Sequence, residues 1–285
     1  MLVLLRCLSH WPLWLLHAVG ALLGWITWAA SPSYRRRLRE NADRAGVSAA
    51  DRRASVAEAG RLVSELPRLW LRPVDRPIAD PVHWVGAERL QAWLGQGRGL
   101  VLLTPHLGSF EVSVQAYAER FGHLQPITVL YRPARKQALR ELEETARART
   151  ALATAPATLA GVRQMLRALK KGHTVGLLPD QVPPEGMGVW VPFFGQPAHT
   201  MTLAARLVQQ TGAAVGLLWT ERLPRGRGYV VHADVLPDVL PETGGDEAAA
   251  LAINRAMEDV IRRCPRQYLW GYHRYKSPRP APATP

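Results

Sequence analysis

Apolar positions along the chain follow two rhythms. Between Cys7 and Tyr34 no Asp, Glu, Lys or Arg interrupts the run. Its inner part, "WPLWLLHAVGALLGWITWAA" (11–30), would form a helix roughly 30 Å long, about one bilayer hydrocarbon core. Residues 35–72 read as further helix, with Val56, Ala59, Leu62, Val63 and Leu66 at helical spacing. "RPVDRPIADP" (72–81) is a proline-punctuated linker. After it the rhythm changes to short continuous apolar runs alternating with amphipathic stretches. "GLVLLT" (99–104) reads as a buried strand leading to a helix over 109–121, and "PITVLY" (126–131) as a strand leading to a charged helix near 135–150. A helix over 159–170 precedes the strand "HTVGLLP" (173–179), and "GVWVPFF" (188–194) is a strand before a helix over 199–211. "AAVGLLWT" (213–220) and "GYVVHADVL" (228–236) are strands, and a helix covers 246–263. Runs of Val and Leu without polar alternation indicate strands covered on both faces, hence an α/β fold with a largely parallel central sheet. The expected organisation is a membrane helix within 1–34, one α/β domain over 35–276, and a disordered tail, "SPRPAPATP", over 277–285.

Charge sharpens this picture. The 285 residues carry 36 Lys plus Arg against 23 Asp plus Glu, a net +13, which points to an anionic partner. Trp11 and Trp14 mark one end of the apolar run and Trp25 and Trp28 the other, as an aromatic belt does. Arg35, Arg36, Arg37 and Arg39 follow the run and only Arg6 precedes it, so the positive-inside rule puts the body of the protein in the cytoplasm. A cleaved signal peptide fits less well, because the run is long and no clean A-x-A site follows. Nucleic acid is a poor partner, since no basic stripe with interleaved aromatics belongs to a recognised module. Cys7 and Cys264 belong to no Cys/His cluster, which argues against structural zinc and for free thiols in a reducing compartment. "GQGRGL" (95–100) precedes a strand instead of following one, so it reads as a turn and not a phosphate loop.

Polar clusters end three of the apolar strands: Thr104-Pro105-His106, Tyr131-Arg132-Pro133 and Pro179-Asp180-Gln181. Ligands of open α/β sheets bind at the carboxyl ends of strands, so one shared pocket is expected there. In "LLTPHLGSFEVSV" (102–114), His106 and Glu111 are five residues apart, about 140° on an ideal helix, and would not share a helical face. They must straddle a strand-to-helix turn. Gly108 allows the bend, Ser109 is a good N-cap, and Phe110, Val114, Tyr117, Ala118 and Phe121 form the stripe of the helix that follows. In that geometry Glu111 can accept the His106 Nδ1–H and fix the imidazole as a general base, with the substrate supplying the attacking hydroxyl. The plain alternative is a polar strand end beside a dipole-favoured first-turn glutamate. Ser109 lacks a G-x-S-x-G elbow and is a weak nucleophile candidate.

These residues carry a resemblance. "HLGSFE" is similar to the H-x4-D/E signature of glycerolipid and lysophospholipid acyltransferases. The ordered blocks "VLYRPARKQAL", "ALKKGHTVGLLPDQVPPEGMGVWVPFFGQPAHTMTLAARLVQQTGAAV" and "YLWGYHRYK" resemble the late acyltransferases of lipid A biosynthesis, over roughly residues 5–276. The "QVPPEGMG" loop and the bland "TALATAPATLA" (150–160) depart from that pattern. The resemblance implies an acyltransferase-type α/β sandwich at the cytoplasmic face of the inner membrane, acting as a monomer without metal or bound cofactor. It implies transfer of a fatty acyl chain from the thioester of acyl-carrier protein to a hydroxyl of an anionic glycolipid acceptor, with His106 and Glu111 as the dyad. Arg132, Arg149, Arg163 and Asp180 are the expected substrate contacts, and Trp190, Phe193 and Phe194 the expected acyl groove. Oxyanion donors are expected from the backbone N–H groups near Ser109 and Phe110, or from an arginine. Acylation of another glycolipid or of a lysophospholipid, with acyl-CoA as an alternative donor, a hydrolase, and a membrane-tethered lipid-binding protein without turnover are the competing readings.

Overall fold

The structure, a computed structural model, describes residues 2–131, 149–236, 238–241 and 243–279. The helix expected near 135–150, apart from its last two residues, falls outside that range, and so do Arg132 and the tail from 280 onward. Four helices open the chain: α1 (Leu2–Ser9), α2 (Leu13–Ala30), α3 (Pro32–Arg44) and α4 (Ala49–Trp70). Pro12 precedes α2, and Ser31 caps α3, whose first residue is Pro32. Ser48 caps α4 by accepting from the Asp51 N–H at 3.0 Å.

The α/β body follows as β1 (Val82–Val85), α5 (Ala87–Leu94), β2 (Leu100–Leu103), α6 (Phe110–Phe121), β3 (Ile127–Tyr131), β4 (Leu152–Pro156), α7 (Leu159–Lys170), β5 (Thr174–Leu177), β6 (Gly188–Phe193), β7 (Gln196–Met201), α8 (Leu203–Thr211), β8 (Ala214–Arg222), β9 (Tyr229–Leu236) and α9 (Gly245–Arg263). Seven strands form one sheet in the order β1-β9-β8-β2-β5-β3-β4, parallel at every neighbouring pair except β8–β9. This is the mostly parallel sheet expected from the apolar runs. β2 shows why those runs lack polar alternation. Val101 and Leu103 pack with α7, α8 and α9 on one face, while Leu100 and Leu102 pack with α5 and α6 on the other.

Three strands were not expected. β1 and β4 are four or five residues long, and β4 lies in the bland stretch, where its small residues suit an edge position beside β3. β7 occupies the start of the helix expected over 199–211 and pairs antiparallel with β6 in a separate ribbon. Its turn, Phe194-Gly195, has positive φ at both residues (46° and 73°), as a two-residue hairpin requires.

Candidate active site

The polar segment after β2 is held on three sides by backbone. The Thr104 N–H donates to the Leu177 carbonyl of β5, and the Ser109 N–H donates to the Thr220 carbonyl of β8. The closing segment grips the same turn: the Leu269 N–H donates to the His106 carbonyl, and the Gly108 N–H donates to the Gln267 carbonyl. Gly108 has φ +57°, and a Cβ there would fall 1.9 Å from the Thr220 carbonyl oxygen. Only glycine allows this approach.

The ring of His106 is therefore fixed at the sheet's carboxyl edge. Its Nδ1–H donates to Asp180 Oδ1 at 2.7 Å, and its backbone N–H donates to Asp180 Oδ2 at 2.9 Å. Asp180 follows β5 and is 1 % exposed. Burial pushes its carboxyl up, but the His106 charge, both His106 hydrogen bonds and Arg274 together hold it below the usual carboxylate range. With Nδ1 as donor, Nε2 of the neutral ring is the acceptor, and the Gln181 amide Nε2 lies 2.9 Å from it. The tautomer is that of a base with its lone pair facing outward.

This corrects the expected role of Glu111 as the Nδ1 partner: Asp180 occupies that position. Glu111 sits in the first turn of α6 and lines the same cavity as His106, and its Oε2 accepts from the Trp70 indole at 3.4 Å. Ser109 is correctly placed at the start of α6 but makes no side-chain cap. Its hydroxyl donates instead to Glu65 Oε1 at 2.6 Å, buried and outside the cavity lining, a position that does not suit a nucleophile. Glu65, on α4, also accepts two bonds from Arg222 (2.9 and 3.0 Å) and lies 3.0 Å from His17 Nε2 on α2. Arg222 adds Glu58 Oε2 at 2.7 Å and the Gly108 carbonyl at 3.2 Å. Burial pushes the Glu65 carboxyl up, yet the Arg222 charge and the bonds from His17 and Arg222 bring it down to about 2. This buried network anchors the His106 turn from behind.

In front of His106 lies a cavity of about 540 Å³. Phe110 and Val114, the upper half of the α6 stripe, form one wall. Val129, Leu152 and Val162 form others, and Met187, Met201 and Leu203 close it from the β6–β7 side. The lower half of the stripe, Tyr117, Ala118 and Phe121, packs on the sheet as expected. The proposed acyl-groove aromatics are elsewhere. Phe193 and Phe194 are buried in the core, where Phe194 lies 5.7 Å from the Trp270 ring, and Trp190 is half-exposed 5.4 Å from His199. The ribbon's tight turn directs its tip into the core and not into the cavity.

Among the expected cationic contacts, Arg149 is 8 % exposed and donates to the carbonyls of Leu69, Arg72, Pro73 and Val74. It clamps the linker after α4. Burial, with help from the Arg72 charge, lowers its guanidinium to about 10. Arg163 is exposed on α7 next to the cavity-lining Val162. Lys276, from the closing motif, lines the cavity and lies 5.1 Å from the Tyr272 ring. Sequence reasoning quoted that motif without giving its residues roles. It also contributes Tyr268 and Arg274, both buried beside Asp180. No periodicity in the sequence marks these residues, because the chain from Trp270 to Lys276 runs through turns and bends.

The sequence profile described as bacterial lipid A biosynthesis acyltransferase matches residues 1–277. The chain is 29% identical to the lipid A biosynthesis lauroyltransferase of Escherichia coli K12 over 219 residues, which is 76% of this chain and 69% of the relative. It is 26% identical to the lipid A biosynthesis palmitoleoyltransferase of the same organism over 235 residues, 81% of this chain and 74% of the relative. An Asp–His pair at the mouth of an apolar cavity, on a chain matched almost end to end by one profile, places this protein in the bacterial lipid A biosynthesis acyltransferase family.

Proposed function

We propose that this protein transfers a fatty acyl chain from acyl-carrier protein to a hydroxyl of a lipid A precursor at the cytoplasmic face of the inner membrane. The observation that carries the chemistry is His106, its Nδ1 held by Asp180 and its Nε2 directed outward beside a largely apolar cavity of about 540 Å³. The acceptor hydroxyl displaces the Gln181 amide and gives its proton to Nε2 as its oxygen attacks the thioester carbon. Asp180 stabilises the imidazolium that forms. Glu111 stands on the wall of the same cavity. The Ser109 N–H is engaged by the Thr220 carbonyl, so of the two expected backbone donors for the oxyanion Phe110 is the one retained. The tetrahedral intermediate collapses with cleavage of the C–S bond, and the departing thiolate takes the proton back from His106. No metal or organic cofactor enters these steps.

The acyl chain occupies the space between Val114, Val129, Leu152 and Val162. Lys276 at the cavity and the exposed Arg163 beside it answer the phosphates of the acceptor; Arg132, the other cation expected to do so, lies outside the described residues. The net charge of +13 suits an anionic leaflet and an acidic carrier. The test is reconstitution of the purified chain with acyl-carrier-protein and acyl-CoA donors and several acceptors, with the product read by mass spectrometry. Acyl transfer to the lipid A precursor that is lost in His106→Ala supports the reading. Full activity of His106→Ala, or release of free fatty acid with no acceptor product, overturns it.

A further inference from the structure

Helix α2 has two faces in different company. Toward α4 it presents Leu13, Leu16, His17, Gly20 and Gly24, all buried. The seam is backbone against backbone: a Cβ on Gly60 would fall 1.9 Å from the Gly20 carbonyl oxygen, and one on Gly24 would fall 2.3 Å from that of Val56. His17 meets Glu65, the Arg53 guanidinium lies over the Trp25 ring, and Arg68 donates to the Trp11 carbonyl. These pairings run in opposite directions along the two helices, so α4 lies antiparallel beside the whole of α2. The other face is open except at its start, where the turn at Gly226 packs on Trp14. Trp14, Leu22, Leu23 and Ile26 are each more than half exposed, and α2 carries no Asp, Glu, Lys or Arg.

By length and hydropathy α2 can cross a bilayer. It cannot do so alone in this fold. Crossing would carry Arg53, Glu58, Arg61 and Glu65 of α4 to hydrocarbon depth, together with Arg222 of the central sheet, which both glutamates hold. Charges at that depth are strongly disfavoured. We propose that α2 enters a single leaflet of an anionic bilayer, lying along it with the Trp14–Leu22–Ile26 stripe in the hydrocarbon, and that the chain's N-terminus stays on the same side as the catalytic cavity. Arginines border the stripe as an interfacial helix requires. Arg6 precedes it and is exposed, Arg36 and Arg39 follow it and are exposed, and Arg35 donates to the Trp28 and Ala29 carbonyls while stacking on the Trp28 ring. The N-terminal turn of α2 packs beside the last turn of α4, where Trp70 reaches Glu111 on the cavity wall. The cavity therefore stands near the leaflet that would hold the acceptor. This inference rests on the membrane association proposed above and is independent of the acyl chemistry.

The chain carries its own probe. Cys7 is exposed, whereas Cys264 is buried, its thiol pushed up to about 12 chiefly by burial. The full chain is labelled at Cys7 with NBD-maleimide, inserted from outside into preformed phosphatidylcholine–phosphatidylglycerol vesicles, and treated with dithionite, which does not cross the bilayer. A Cys7→Ser/Glu247→Cys variant labelled on exposed α9 reports the body. Equal reduction of the two labels is expected. A Cys7 label protected while the body label is reduced overturns the single-leaflet mode and leaves membrane association standing. A chain that fails to float with vesicles, or that covers the stripe by dimerising in the aqueous fraction, overturns both. Leu22→Glu/Ile26→Glu should lower the vesicle-bound fraction about tenfold or more, and phosphatidylcholine alone should bind less chain than the anionic mixture. Unchanged binding in either case removes the stripe or the anionic lipid from the proposal.

Discussion

Replacing Asp180 by Asn keeps the side chain's shape and removes one acceptor. Both carboxylate oxygens receive a hydrogen from His106, one from the ring at 2.7 Å and one from the backbone at 2.9 Å. An amide has one oxygen and one NH2. The backbone N–H has no alternative tautomer, so it takes the oxygen and the NH2 faces Nδ1. The imidazole answers by moving its proton to Nε2, which leaves the base without its outward lone pair. Both hydrogen bonds survive with reversed roles on one side, so the fold should remain intact. Turnover should not: the wrong tautomer together with the lost charge is worth a factor of ~10³–10⁴ in kcat, or ~4–5.5 kcal/mol of barrier. The assay is steady-state acyl transfer in detergent, with far-UV circular dichroism and a thermal melt as folding controls. Nitrogen NMR of His106 should report Nε2 protonated in the variant and Nδ1 protonated in the parent. A folded Asp180→Asn enzyme within tenfold of the parent kcat would refute the assignment of Asp180 to the base.

The network behind the turn makes a stability prediction. Arg222→Met leaves Glu65 buried without its arginine and Glu58 with Arg61 alone, and should destabilise the fold by ~3–5 kcal/mol in denaturant unfolding, while Glu65→Gln/Arg222→Met recovers part of that loss. Glu65 lies at about 2 in the fold against 4.5 unpaired, a linkage contribution of ~3 kcal/mol. A lowered folded value means that this contribution is complete above about pH 4.5 and fades as pH falls toward 2. Glu65→Gln should flatten the acid limb of the stability curve, and an unchanged limb would contradict the pairing. Within the cavity, Val129→Phe should shift donor preference toward acyl chains about two to four methylenes shorter, since each excluded methylene forfeits roughly 0.8 kcal/mol of burial. Mass spectra showing an unaltered chain length would place the acyl group elsewhere.

The parts of this protein written locally were legible in its sequence. Gly108, the first-turn Glu111 and the stripe from Phe110 to Phe121 announced a strand-to-helix turn with His106 at its head, and the turn is present. The sequence placed the His106 and Asp180 clusters in one pocket, but it did not show which carboxylate there holds the ring. Asp180 stands 74 residues away, at the end of a strand that becomes a neighbour only when the sheet orders itself. Glu111 was the nearer carboxylate in sequence and drew the assignment. His17 was hidden in the same way, since an apolar run gives no hint that one of its members meets a buried glutamate. Phe193 and Phe194 illustrate a different difficulty. Their apolarity predicts burial, which they have, but whether burial means core or cavity depends on the hairpin turn that aims them.

The Gln181 amide resting on Nε2 has a kinetic consequence. In the transfer proposed above, an incoming thioester meets a base whose lone pair is already taken, and any hydroxyl or water must first displace a tethered donor to be activated. On that reading Gln181 shields the base until an acceptor takes the amide's place on Nε2.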